Sequence, residues 1–161
     1  MASDIFMRID DIEGESTDRQ HPGWIEILNY KLGLKQRIAS TPSSAGGATA
    51  GKADFRPFNF IRPVDKASPR LALACAAGTH IDEILVEECR AGGERVRYMA
   101  YRLRNCIIKR VMLIGGGIFP MELVDVDYGR IEWTYTQQSR SGGRPVGEVV
   151  GGWNREKNCR V

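Results

Sequence analysis

The sequence is poor in the features that mark metalloproteins, secreted precursors and membrane proteins. Its two histidines, His21 and His80, lie at no metal-ligand spacing from the four cysteines, and no two cysteines form a C-x-x-C pair. The first residues contain no basic segment followed by an apolar one, so we expect no cleavable signal peptide. The longest apolar run, 106–119, is interrupted by Lys109, Arg110 and three glycines, so we expect no membrane insertion. The cysteines are therefore expected to be reduced thiols in the cytosol.

Catalytic motifs are missing as well. Gly14-Glu15-Ser16 lacks the second glycine of a nucleophile elbow. The Gly115–Gly117 triplet is not followed by a spaced glycine and a helix, which a nucleotide-binding loop requires. Asp125 and Asp127 share one strand face, where solvated charges are the ordinary role. We therefore expect no catalytic residue, no metal ligand and no cofactor, and a small-molecule enzyme is the weakest of the functions considered.

The length and composition indicate one globular domain. A chain of 161 residues can bury about 70% of its unfolded surface, and neither a repeat nor a linker divides it, so we expect a single domain over 1–161. The formal net charge of +3 is compatible with weak attraction to acidic surfaces but does not identify nucleic acid as a partner. Cys159 is expected to be the most exposed cysteine.

One segment, 65–78, has the pattern of an α-helix. Ser68 is expected to be its N-cap, Pro69 suits the first helical position, and Gly78 can take the left-handed conformation that ends a helix. So short a helix is not stable alone, so we expect it to pack on a larger β structure.

Most of the remaining chain has the alternation or the β-branched and aromatic composition of strands. In 28–34 the apolar residues occupy every second position and predict one buried face, and the phase changes near 27–28 and near 105–106 predict bulges. We expect a mostly-β protein, a barrel of two antiparallel sheets with one short flanking helix. The predicted strands are Asp4–Ile9, Trp24–Gln36, Asp54–Val64, Ile81–Arg90, Arg95–Ile114, Met121–Tyr128, Arg130–Gln137 and Val146–Val150, with Trp153-Asn154 as an addition.

Two connections differ in character. The segment 39–52, within an extended loop at about 38–54, consists almost entirely of small and turn-forming residues. Loops of this length are usually functional or disordered, so this segment is either a flexible loop or an arm that orders against a neighbouring subunit. The segment 91–94 predicts a tight hairpin turn.

A run of basic residues along Arg95–Arg110, interleaved with tyrosines, is the best sign of nucleic-acid binding. The alternative function is therefore a nucleic-acid-binding, OB-like β-barrel. The ordinary reading is a solvated or interface-facing strand, and Glu83, Glu87 and Glu88 on the preceding strand are expected to pair with these arginines.

Short motifs in a fixed order span the chain. No single motif is specific, but the combination of the first motif, the D-K-x-S-P motif and the last motif is. They are GES-x-D-x-x-H at 14–21, F-x-F at 58–60, DKASP at 65–69, G-x-H at 78–80, RAGGE at 90–94, YGRIEW-x-Y at 128–135 and GWN at 152–154. With these motifs the whole chain resembles the haemolysin-coregulated protein (Hcp) family, the tube subunit of bacterial type VI secretion systems.

The resemblance implies a hexameric ring without catalytic activity, and rings stacked into a hollow tube. It implies, as partners, identical copies, a spike protein, a contractile sheath and effectors carried in the lumen, with no nucleic acid. Export from the cytosol would need no cleavable signal. By the resemblance, the arm lies at the ring-to-ring contact, with Ser43, Ser44, Gly46, Gly47, Gly51 and Lys52 as contact residues. By the same resemblance, Gly115, Gly116, Gly117 and Ile118 are candidate lumen residues that contact effectors.

Overall fold

The computed structural model describes residues 3–38, 50–91 and 95–161. These residues form a mostly-β structure with eleven strands and one α-helix, which confirms the predicted fold class. Every strand pair is antiparallel. The strands are β1 (Ser3–Ile9), β2 (Ile25–Ile27), β3 (Asn29–Lys31), β4 (Leu34–Lys35), β5 (Asp54–Phe55), β6 (Phe58–Pro63), β7 (His80–Arg90), β8 (Arg97–Ile114), β9 (Met121–Gln138), β10 (Pro145–Asn154) and β11 (Cys159–Arg160), and α1 is Ser68–Ala77.

The sheet is not closed by hydrogen-bonded pairing, as a barrel would be. Nine strands form one sheet with the path β11-β10-β9-β8-β7-β1-β2, and β6 joins β9 to β3 at the side of this path. The remaining two strands, β4 and β5, form a separate small sheet. β2 and β3 pair with different partners, β1 and β6, and Leu28 between them donates its N–H to the Ile61 carbonyl at 3.0 Å. The chain itself, at Leu28, therefore links the two ends of the ladder.

The predicted strand Trp24–Gln36 is wrong as a single element, because it is divided into β2, β3 and β4. The predicted buried face is also wrong in part, since Leu28 and Leu34 are exposed. Ile25 and Ile27, with the opposite phase, are the buried residues of this segment. The phase change expected near 27–28 is confirmed by the interruption of the strand at Leu28.

The two strands predicted on either side of Gly129 are one continuous strand, β9. The bulge predicted near 105–106 is wrong in position, because the register of the β8–β9 pairing shifts between Ile108 and Arg110. The predicted phase change does lie at Asn105, which has a φ of 53° within the strand. Asn105 lies between Arg104 and Cys106, whose partners on β9 are Arg130 and Tyr128. On both strands the alternation of buried positions changes phase at this level, so the pairing continues where a break was expected.

The helix α1 packs against β8 and ends as predicted at Gly78, which has a φ of 61°. The prediction that Ser68 caps the helix is wrong. Its hydroxyl points into the core, where it donates to Glu122 at 2.9 Å and accepts from Arg62 at 3.3 Å. Arg62 is 1% exposed and Glu122 is 0% exposed, and Arg62 also pairs with Asp65. This buried network joins β6, β9 and the start of α1.

The hydrophobic core lies between the sheet and the helix. It contains fully buried side chains from most strands and from α1, among them Met7, Ile25, Phe58, Phe60, Leu71, Ile84, Leu103 and Ile131. In the described part of the chain no helix is long and apolar enough to cross a membrane.

Candidate subunit-contact surfaces

The arm predicted to contact a neighbour is described only at its base. Gly51 and Lys52 are exposed there, whereas Ser43, Ser44, Gly46 and Gly47 lie outside the described residues. The base is held by β4 and β5, by a bridge between Ile38 and Ala50, and by a hydrogen bond of 2.9 Å from the Gly51 N–H to the Arg37 carbonyl. The described residues thus place both ends of the arm side by side.

An open cleft of about 340 Å³ lies beside this base. Its principal cation, Arg155, lies 5.5 Å above the Phe55 ring and 5.0 Å above the Tyr128 ring. The same guanidinium donates to Asp127 at 2.8 Å and to the Tyr128 carbonyl at 2.5 Å. Because Nη1 donates to both acceptors and the guanidinium lies over the two rings, Arg155 attaches the C-terminal strands to the base of the arm.

The predicted lumen residues Gly115–Ile118 form the turn between β8 and β9. Gly116 and Gly117 have φ values of 83° and 72°, which glycine adopts at little cost. Ile118 is 89% exposed and Phe119 is 71% exposed. The adjoining end of β8 is also apolar and exposed, at Met112, Leu113 and Ile114. We call these five side chains, Met112, Leu113, Ile114, Ile118 and Phe119, the apolar tip.

Sequence reasoning identified the glycines of this turn and missed most of the apolar tip. The available signal was the apolar residues on both sides of the glycine triplet, which is an unusual composition for a surface turn. An exposed apolar cluster of this kind marks an interaction surface more often than a free surface.

A second exposed surface was not predicted, namely the edge of β10. This strand pairs with β9 along its length, but β11 covers only Trp153 and Asn154 on its other side. Val146, Val149 and Val150 are exposed on this strand. Val149 and Val150 are neighbours and point to opposite faces, so apolar side chains are exposed on both faces of the strand.

The basic strand 95–110 is largely neutralised by its neighbours. Arg97 pairs with Glu87 at 3.1 Å and with Glu148 at 3.0 Å, and Arg104 pairs with Glu83 at 3.2 Å. The predicted pairing with Glu83 and Glu87 is confirmed, whereas Glu88 accepts hydrogen bonds from Ser3 and Tyr30. Further pairs on this strand are Arg95 with Asp4, Arg102 with Glu83, and Arg110 with Asp125.

The motif GES-x-D-x-x-H builds a buried polar cluster. The His21 ring lies between two carboxylates, with Nδ1 2.7 Å from Asp18 and Nε2 2.7 Å from Glu87, and it stacks on Phe6 at 4.3 Å. At Gly14 a side chain would lie 2.4 Å from the Trp24 carbonyl oxygen, so only glycine fits there. These residues fix the loop after β1 against β7, which is a structural role.

Several titratable groups are held in their neutral forms. Burial raises the pKa of the Cys106 thiol to about 12 and that of Cys89 to about 11. Burial and the hydrogen bond with Tyr101 also raise the pKa of Tyr30. Within the described ranges, no group of three His, Cys, Asp or Glu side chains is placed to hold a metal ion.

The comparisons with known proteins agree on one family. The sequence profile of the family described as "Type VI secretion system effector, Hcp" matches residues 6–135. The chain is similar to "Protein hcp1" of Pseudomonas aeruginosa, with 31% identity over 164 residues that cover the whole of both chains.

Solved structures show the same similarity. The "Structure of a type six secretion system protein" superposes with a TM-score of 0.92 at 27% identity, covering 99% of this chain and 100% of that chain. The Hcp1 structure from Salmonella typhimurium superposes with a TM-score of 0.82 at 27% identity and covers both chains completely.

Proposed function

Because the chain belongs to the Hcp family of type VI secretion proteins, we propose that it is a structural subunit of the inner tube and has no catalytic activity. In this proposal identical copies form hexameric rings, and the rings stack into a hollow tube. The tube assembles in the cytosol and leaves with a spike protein when a contractile sheath shortens. Effectors travel in the lumen, and Gly115–Ile118 contact them.

The edge of β10 carries this proposal. Val149 is 67% exposed, and the strand has no backbone partner beside Pro145–Gly151 on its outer edge within the described residues. A monomeric protein protects such an edge with charges, prolines or a covering segment, because an open apolar edge pairs with other chains. A neighbouring copy of the chain would cover it.

The apolar tip supports a ring rather than a closed pair. The apolar tip lies at the start of β9, whereas β10 pairs with the second half of β9, residues 130–138. A contact that joins Met112, Leu113, Ile114 and Phe119 of one copy to the edge of the next would use two different surfaces and would leave Gly115–Ile118 for effectors. Such heterologous contacts form closed rings when the rotation between copies allows closure, and filaments when it does not.

The charge on 95–110 favours the tube over the nucleic-acid alternative. Single strands bind through basic residues that remain free for phosphates. Arg97, Arg102, Arg104 and Arg110 each have a carboxylate within 4.0 Å. Binding to a single strand would have to break these pairs.

Size-exclusion chromatography with light scattering tests the proposal. We expect the purified chain to elute as a particle of about six copies, and the double variant V149D/V150D to elute as a smaller one. Leu73→Asp is the matched control, since Leu73 is also 67% exposed but lies on α1. A wild-type chain that stays monomeric at high concentration refutes the tube. A monomer that binds single strands with steep salt dependence supports the nucleic-acid alternative.

A further inference from the structure

The base of the arm carries an excess of positive charge. Lys31, Lys35, Arg37, Lys52 and Arg56 are all exposed, and we call these five residues the basic surface. The single acidic residue in the segments 29–38 and 50–57 is Asp54, opposite Lys35 in the β4–β5 pairing. Among the residues the structure describes, none of the five cations has a carboxylate within ion-pair distance.

The backbone holds these cations close together. The Arg56 N–H donates to the Gly33 carbonyl at 2.9 Å, and the Gly51 N–H donates to the Arg37 carbonyl at the same distance. A two-stranded sheet is marginal by itself, but Phe55 anchors this one, because its ring is buried and packs edge-on against Tyr128. The basic surface is therefore a fixed feature of the fold.

The contrast with β8 indicates that this charge has a use outside the subunit. On β8 the arginines lie beside carboxylates of β7, β9 and β10. At the base of the arm five cations face solvent with one acid among them, and repulsion between like charges on neighbouring strands destabilises a sheet. An acidic surface of another molecule would remove that repulsion.

The same chain has an acidic surface on a different element. Asp10, Asp11, Glu13 and Glu15 follow β1 directly and are exposed, and we call these four residues the acidic loop. Its described ion pair joins Glu13 to Lys66 at 3.3 Å, and both side chains are largely exposed. The acidic loop thus lies beside the start of α1, whereas the basic surface is anchored on β9 through Tyr128.

We propose that the acidic loop of one copy docks on the basic surface of the next copy. The inference rests on the proposed tube function and adds the charge contact that joins neighbouring copies. The basic surface flanks the arm, so this contact would adjoin the contact expected for 39–52. Since both surfaces are exposed, the interaction falls as the Debye length shortens from about 10 Å at 0.1 M salt to about 3 Å at 1 M.

A charge-swap experiment tests the contact. One variant, K35E/R37E/K52E, reverses the basic surface from a net charge of +4, with Asp54 included, to −2, and a second, D10K/E13K/E15K, reverses the acidic loop from −4 to +2. We expect each variant alone to associate at least about tenfold more weakly than the wild type, because like charges then meet across the contact. An equimolar mixture of the two, in which the variants alternate, or a chain with all six substitutions, restores opposite charges at each contact and is expected to associate like the wild type.

The measurement is sedimentation velocity of the full chain over a range of concentrations, at about 0.1 M and about 1 M NaCl. The matched control R70E/K109E/R140E makes the same change in net charge as K35E/R37E/K52E, at exposed residues outside both surfaces. It is expected to associate like the wild type. Circular dichroism checks that every variant is folded.

The outcomes separate this inference from the proposed function. Wild-type rings that are insensitive to salt, or single variants that assemble normally, overturn the charge contact and leave the tube standing. A basic-surface variant that assembles normally but no longer binds heparin assigns the surface to a polyanion and also overturns the contact. A wild-type chain that remains monomeric refutes the tube and the contact with it.

Discussion

The buried ion pair between Arg62 and Glu122 gives a quantitative prediction about stability. Arg62→Ala removes the guanidinium that bonds Glu122 and Asp65 and leaves the Glu122 carboxylate, 0% exposed, with the Ser68 hydroxyl as its remaining described partner. An uncompensated buried charge is far more costly than the loss of a surface pair. We therefore expect Arg62→Ala to be one of the most destabilising single substitutions in the chain.

The size of the effect follows from the burial of both partners. Breaking a buried pair by removing one member costs about 3–5 kcal/mol, whereas replacing both by apolar residues of similar volume is often neutral or stabilising. The double variant R62M/E122M is therefore expected to unfold within about 1 kcal/mol of the wild type or to be more stable. For a chain of this length a loss of 3 kcal/mol lowers Tm by about 6–12 °C.

The assay is urea unfolding followed by circular dichroism, at one fixed protomer concentration because association contributes to apparent stability. Lys66→Ala is the control, since it removes an exposed pair with Glu13 that is worth less than about 1 kcal/mol. If Arg62→Ala loses less than about 1 kcal/mol, or if R62M/E122M is as unstable as the single variant, the account of a costly buried charge is wrong.

Three further predictions concern the arm, the polar cluster and the cysteines. Deleting 43–50 is expected to leave rings intact and abolish stacking, and electron micrographs with normal tubes would contradict it. Burial alone would raise the pKa of Asp18. The hydrogen bond from His21 and the positive charge of Arg95 lower this pKa below its ordinary value of 3.8. We therefore expect D18N to lower the free energy of unfolding at pH 7. This loss decreases as the pH falls below about 4 and disappears below the folded-state pKa of Asp18, as urea unfolding at several pH values would show, and an equal loss at pH 3 would refute it. A maleimide is expected to label Cys159 rapidly in the native protein, whereas Cys89 and Cys106 react only in denaturant. If Cys89 or Cys106 of the C159S variant were labelled rapidly in the native protein, their burial would be contradicted.

Predictions from the sequence are most accurate for elements in which the local residue pattern agrees with the tertiary structure. The helix ends at Gly78 as expected, and β1, β7 and β8 lie close to their predicted bounds, because their alternation or composition matches their burial. Ser68 was wrongly predicted to cap the helix, because capping preferences depend on local sequence alone. They do not include the contact with Glu122, which lies in the core beside the Ser68 hydroxyl. The continuity of β9 could not be predicted from β9 alone, because it depends on the matching phase change at Asn105 of the neighbouring strand.

The contact surfaces were harder to predict, because exposure is a property of topology. Val149 and Val150 suit a buried strand as well as an open edge. Only the strand order shows that, among the described residues, this part of β10 has no partner on its outer side. The five cations at the base of the arm lie in two groups, 31–37 and 52–56, on either side of the arm in sequence. They become one surface only when β4 pairs with β5.

The length of two strands links the fold to its assembly. β8 and β9 have 18 residues each, which is about three times the average strand and gives a contour length of about 60 Å. A compact chain of this size has a radius of gyration of about 15 Å, hence a diameter of about 40 Å. Strands of that length extend beyond what the core of one copy can cover, unless they coil tightly around it. The exposed apolar tip at one end of the β8–β9 hairpin and the open edge of β10 at the other are where that excess length leaves apolar groups in water. Further copies of the same chain would bury both surfaces, and this is the physical reason to expect an assembly from this fold.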